Sequence, residues 1–127
     1  MNQDQVKSFV RLTLGCECPD EVFETVRCES RVRLTDRLVL RNRIEIADRL
    51  LIYVADAPDT KYVTSNLATL VVSGTRERDA KRFNRFRLVL LSPQPEAATE
   101  AANDVFCRLK ADDKVHLHVI SDKAFPL

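Results

Sequence analysis

Val6, Phe9, Val10 and Leu14 recur at helical spacing, with Thr13 on the same stripe. This predicts an amphipathic helix over 3–14, stopped where Gly15 can take up a left-handed turn. A second helix is expected at once. Cys18 stands at the N-cap position, Pro19 at the first helical position, and Asp20 and Glu21 in the first turn; Val22, Phe23 and Val26 would be its buried face. From Val32 to Ile46 the period changes to two. Val32, Leu34, Leu38, Leu40, Ile44 and Ile46 are even-numbered, whereas Arg31, Arg33, Arg37, Arg41, Arg43 and Glu45 are odd. That pattern predicts a half-buried strand over 38–46 with an irregular approach. After a turn at Ala47-Asp48-Arg49, the segment from Leu50 to Ala55 is apolar on both faces and reads as a central strand.

Asp59 or Thr60 can cap a third helix whose stripe is Val63, Leu67, Leu70, Val71 and Gly74. Gly74 either ends this helix or lets another backbone come close. Residues 75–84 read as a helical extension or a loop. Phe86 to Leu91 follows as a strand, and Ala98, Ala101, Ala102, Val105 and Leu109 mark a fourth helix. Asp112-Asp113 turns the chain into a last strand, Val115 to Ile120. The order predicts a single α/β domain over 1–127. Its mixed four-stranded sheet is a β-hairpin followed by βαβαβ crossovers, and the N-terminal helix pair packs on the opposite face from helices three and four.

Composition narrows the chemistry. The chain has 127 residues, 45% hydrophobic and 31% charged, which is enough for one core without disulfides or metal. Its two glycines, Gly15 and Gly74, cannot build a phosphate loop, a dinucleotide fingerprint or a nucleophile elbow. Twenty basic against nineteen acidic groups give +1, so no global field draws the chain to nucleic acid or membrane. No stretch approaches the roughly 18 apolar residues that span a bilayer. With no basic n-region and apolar stretch at the start, and four cysteines in a domain of this size, the expected compartment is the cytoplasm.

The cysteine turn Gly15-Cys16-Glu17-Cys18-Pro19 is the most unusual feature. A thiol at a helix N-terminus is drawn toward thiolate, and two thiols this close can hold a zinc or iron ion or exchange a disulfide. Cys28, about 15 Å along a regular helix from Cys18, would be a poor third ligand. The spacing fits neither paired zinc motifs nor C-x-x-C, and the simpler reading makes these cysteines small buried hydrophobes in a tight turn. Cys107 is expected to be partly exposed without a ligand role. His116 and His118 share one face of the last strand, about 7 Å apart, and can complete a metal site with Cys16 and Cys18 only if the fold brings them together.

Charge is segregated along the chain. Between Arg27 and Arg49 seven arginines face four acids, and between Thr75 and Arg87 six basic groups face Glu77 and Asp79. Arg41 and Arg43, and Arg82, Arg85 and Arg87, can present guanidinium forks to carboxylates or phosphates. Arg82 to Arg87 interleaves arginine with Phe83 and Phe86, the combination that holds single strands, although both rings also suit a core. In an open parallel sheet ligands gather at the carboxyl ends of the strands, here Asp56-Ala57-Pro58-Asp59 and Ser92-Pro93-Gln94-Pro95. No base, nucleophile and orienting group are assembled there. The sequence thus points first to a non-enzymatic protein-interaction or self-association domain with arginine-rich surfaces. Metal or thiol-redox chemistry at the cysteine turn comes second. Anion or single-stranded nucleic-acid binding through 75–87 comes third, against the near-zero net charge.

Overall fold

The computed structural model describes residues 3–15 and 20–126. Five strands form one open mixed sheet in the order β1-β2-β3-β4-β5. They are β1 (Val26–Arg33), β2 (Val39–Ile46), β3 (Leu50–Asp56), β4 (Arg85–Ser92) and β5 (Val115–Ser121). The first three run as an antiparallel meander; β3, β4 and β5 are parallel, with crossovers through α2 (Thr60–Lys81) and α3 (Pro95–Leu109). The α/β class and mixed sheet agree with the sequence pattern, but the sheet has five strands, not four. The additional strand, β1, replaces the irregular approach and the end of the expected second helix.

Near the N-terminus, α1 (Gln3–Ser8) continues as a π-helical turn over Phe9–Thr13, closed by the Leu14 N–H on the Phe9 carbonyl. The next element is only a five-residue 3-10 turn, Asp20–Glu24, and its expected start at Cys18 and Pro19 lies outside the described residues. Val26 is therefore a strand residue. The regular helix that would have set Cys28 far from Cys18 does not form.

Two cores sandwich the sheet. Beneath α2 and α3, Leu67, Leu70 and Ala102 meet Leu51, Tyr53, Phe86 and Leu88. On the opposite face Val6, Phe9, Val10, Leu14 and Phe23 cover Ile44, Ile52, Val54, Val89 and Leu91. The even-numbered apolar residues of 32–46 do not share one face. Leu38 and Leu40 belong to the helix-side core, whereas Ile44 and Ile46 belong to the other. The switch occurs at Arg31, whose φ of 53° breaks the pairing opposite Arg41, so both strands change phase there. Odd-numbered Arg43 and Glu45 consequently point under α2.

Asp59 caps α2 by accepting the Tyr62 N–H at 2.7 Å, and the helix runs on through 75–81 before Arg82 ends it with a φ of 61°. Gly74 lies inside α2, against β4. A Cβ there would sit 2.0 Å from Cζ of the fully buried Phe86, whose ring meets Tyr53 edge to face. Gly74→Ala should gain about 1 kcal/mol of helix propensity and lose more to overpacking, for a net loss of about 1–2 kcal/mol in chemical denaturation. Phe86→Leu in the same chain should recover part of that loss; additive losses would refute the contact.

Candidate functional site

The arginines fall into three environments. Arg41 donates to Asp56 at 3.0 Å and lies 5.5 Å from the centre of the Phe125 ring. Arg43 is only 6% exposed, beneath α2, bonded to Glu45 at 2.5 Å and to Glu77. Glu77 also accepts the Tyr53 hydroxyl, and Lys81 reaches Glu77 at 3.2 Å and Glu45 at 3.4 Å. Burial pushes the Glu45 carboxyl up, but Arg43 and Lys81 together outweigh it and hold it below its ordinary range. Burial dominates at Tyr53 and raises its hydroxyl. This network is internally neutralised, so Arg43 offers no exposed fork. Its partners Tyr53, Glu77 and Lys81 were not legible in advance, because no local spacing links them to Arg43.

Arg78, also buried, forms a bidentate pair with Asp112 at 2.6 and 2.8 Å and ties α2 to the α3–β5 turn. Chiefly through the Arg78 hydrogen bonds, the Asp112 carboxyl is held down to about 2. The carboxyl ends of β3 and β4 border a cavity of about 280 Å³ lined in part by Asp59, Ser92 and Gln94. Two of its polar side chains are already engaged: Asp59 caps α2, and the Ser92 hydroxyl accepts the Gln94 N–H at 3.0 Å.

The third environment is open. Arg85 and Arg87 on β4 and His116 and His118 on β5 share the sheet face that the N-terminal segment covers further in, with Arg87 opposite His116 in the register. Arg85 Nη1 lies 2.9 Å from His116 Nε2, and Arg87 Nη1 lies 2.9 Å from His118 Nε2. A guanidinium only donates, so both Nε2 atoms accept and both neutral rings carry their proton on Nδ1. Protonating either ring would break its rung. Burial above all, then Arg87 and His116, pushes the His118 pKa down to about 4; burial and the two arginines also lower His116. Among the described residues, no carboxylate pairs with Arg85 or Arg87. Arg87 Nε is buried without a hydrogen-bond partner. Arg82, at the end of α2, is exposed, whereas Phe83 and Phe86 are buried and offer nucleic-acid bases no stacking platform.

The metal candidates separate. Cys16 and Cys18 lie outside the described residues. Cys28 is half-buried on β1, where Asn42 Nδ2 approaches its Sγ at 3.5 Å. β1 and β5 are opposite edges of the sheet, four strand spacings or about 19 Å apart, so Cys28 cannot share an ion with His116 and His118. Cys107 is exposed, its thiol on the Asp104 carbonyl. Among the described residues no group of three or more His, Cys, Asp or Glu side chains is placed to hold a metal, and no helix is long and apolar enough to cross a membrane. No known protein family, curated protein or solved structure matches the chain.

The His118 environment sets an acid limit on stability. Its pKa is about 4 in the fold against about 6.5 when unfolded, so the unfolded chain binds the extra proton between those values. The contribution is complete above pH 6.5 and is lost as the pH falls toward 4. Denaturation midpoints should fall across that window, and His118→Gln should flatten the slope; an unchanged slope would exclude His118 as its source.

Proposed function

We propose that this chain is a non-enzymatic interaction domain that docks a carboxylate-rich protein partner on the strip formed by Arg85, Arg87, His116 and His118. The observation behind this reading is the pair of Arg–His rungs, in which guanidinium groups spend donors on neutral imidazoles rather than on carboxylates. An incoming carboxylate is a stronger acceptor than an imidazole nitrogen and would form charge-assisted bonds with the same forks. Arg43 is buried and neutralised within the fold, and Arg41 is already paired with Asp56 at the surface, so the reading rests on the β4–β5 strip rather than on these two. Titrating heptaglutamate into isotopically labelled protein should shift the side-chain signals of all four strip residues. Arg85→Glu should weaken binding about tenfold, and binding should weaken with added salt. If millimolar heptaglutamate leaves those signals unmoved, the reading is wrong.

A second reading keeps Cys16 and Cys18 as a zinc or iron site. One observation favours it: Arg87 Nη1 bonds both His118 Nε2, at 2.9 Å, and the Leu14 carbonyl, at 3.3 Å. Leu14 precedes Cys16 by two residues, and its carbonyl and the His118 ring share this one guanidinium nitrogen. Both imidazoles would have to release their arginines to reach a metal through Nε2. Elemental analysis of reductively purified protein should find one equivalent of zinc or iron under this reading, removed by replacing Cys16 and Cys18 with serine; a metal-free chain would end it.

A further inference from the structure

The two edges of the sheet are guarded very differently. β1 carries Arg27, Glu29, Arg31 and Arg33 and is broken by the left-handed Arg31, devices that discourage another strand from pairing. β5, the opposite edge, reads Val115-His116-Leu117-His118-Val119-Ile120-Ser121, without lysine, arginine, carboxylate, proline or a left-handed residue. Among the described residues its only strand partner is β4.

The ladder fixes which backbone groups are free. The Phe86 N–H bonds the Lys114 carbonyl, and Phe86 stands opposite Val115. In a parallel pair this turns the N–H and C=O of His116, His118 and Ile120 toward β4. Those of Leu117 and Val119 therefore point outward. Consistently, the Val115 N–H turns away from β4 and bonds the Asp112 carbonyl at 3.2 Å. The open edge thus offers two N–H and C=O pairs, at Leu117 and Val119. Around it the two faces differ: Leu117 and Val119 pack against the helix-side core, and His116 and His118 stand beside Arg85 and Arg87.

We propose that the partner engages as an added antiparallel strand on the β5 edge, an extended segment alternating acidic and apolar residues. Its acidic side chains would lie over the Arg–His strip, its apolar ones beside Leu117 and Val119, and its backbone would take the free N–H and C=O groups. Charge selects this occupant over a second copy of the chain. A twofold pairing of β5 with itself would bring two Arg–His strips together, like charge on like, whereas an acidic strand complements one. The proposal rests on the acidic-partner reading above but adds a backbone requirement that anion binding alone does not have.

The probe is the capped peptide Thr-Glu-Val-Glu-Val-Glu-Val-Thr, with two controls: proline for each valine, which keeps every carboxylate and removes the pairing N–H groups, and lysine for each glutamate. The expected result is binding to the full chain with amide exchange at Leu117 and Val119 slowed at least tenfold, and loss of both with either control. Val119→Pro, which deletes an outward N–H and none used by β4, should also abolish binding while leaving the exchange pattern of β4 intact. If the proline peptide binds equally well and Leu117 and Val119 stay unprotected, carboxylate recognition stands and strand addition is overturned. If protection persists unchanged in Arg85→Glu or with the lysine peptide, the edge pairs strands without regard to charge and the acidic occupant is overturned. A free protein that is dimeric, with Leu117 and Val119 already protected, would assign the edge to a second copy and overturn the proposal.

Discussion

Strand β3 cannot leave either face in water. Leu51, Tyr53 and Ala55 point one way, Leu50, Ile52 and Val54 the other, and all six are buried. A buried aliphatic or aromatic side chain of this size contributes roughly 1.5–3 kcal/mol, so a fold covering only one face would forfeit several such contributions. The helices of the two crossovers cover one side. The other side has no crossover to cover it, and the N-terminal segment does so instead, with Phe9 set edge to face against Phe125 from the opposite end of the chain. The limited reach of that cover leaves β5 with half-buried histidines and an open edge.

Charge follows the same division. Where arginines lie under a cover they are neutralised by specific partners: Arg43 by Glu45 and Glu77, Arg78 by Asp112. Breaking such a pair strands a buried charge, so these groups hold the fold and are not free to bind. At the limit of the cover, exposed Arg85 bonds a neutral imidazole, and half-buried Arg87 bonds another and the Leu14 carbonyl, with no carboxylate among the described residues paired with either. A chain of nearly zero net charge therefore keeps a small cationic strip on β4 and β5, next to an edge with free backbone groups.

Legibility varied from element to element for definite reasons. The central strand, α2, β4, α3 and β5 announced themselves through apolar period and turn residues, whereas Gly74 neither ends its helix nor admits another backbone but makes room for the Phe86 ring. β1 was not legible, because an edge strand exposed over most of its length carries arginine and glutamate where a buried strand carries valine. The even-numbered pattern of 32–46 suggested one continuous face, and only the left-handed Arg31 divides it between two cores. Of the candidate site, the shared face of His116 and His118 followed from a period of two. Their bonding to Arg85 and Arg87 did not, because it depends on which strand lies beside β5.

By itself the sequence determined the α/β class, the parallel crossovers, the doubly apolar centre and the absence of glycine-rich ligand loops, since these rest on local spacing and residue type. Tertiary structure alone decided which arginines are spent. Arg43 and Glu77 are 34 positions apart, as are Arg78 and Asp112, and Arg85 and His116 are 31 apart. Whether a guanidinium meets a carboxylate under a helix or an imidazole at an open edge depends on strand order and on how far the cover reaches, and neither is written in the neighbourhood of the residue itself.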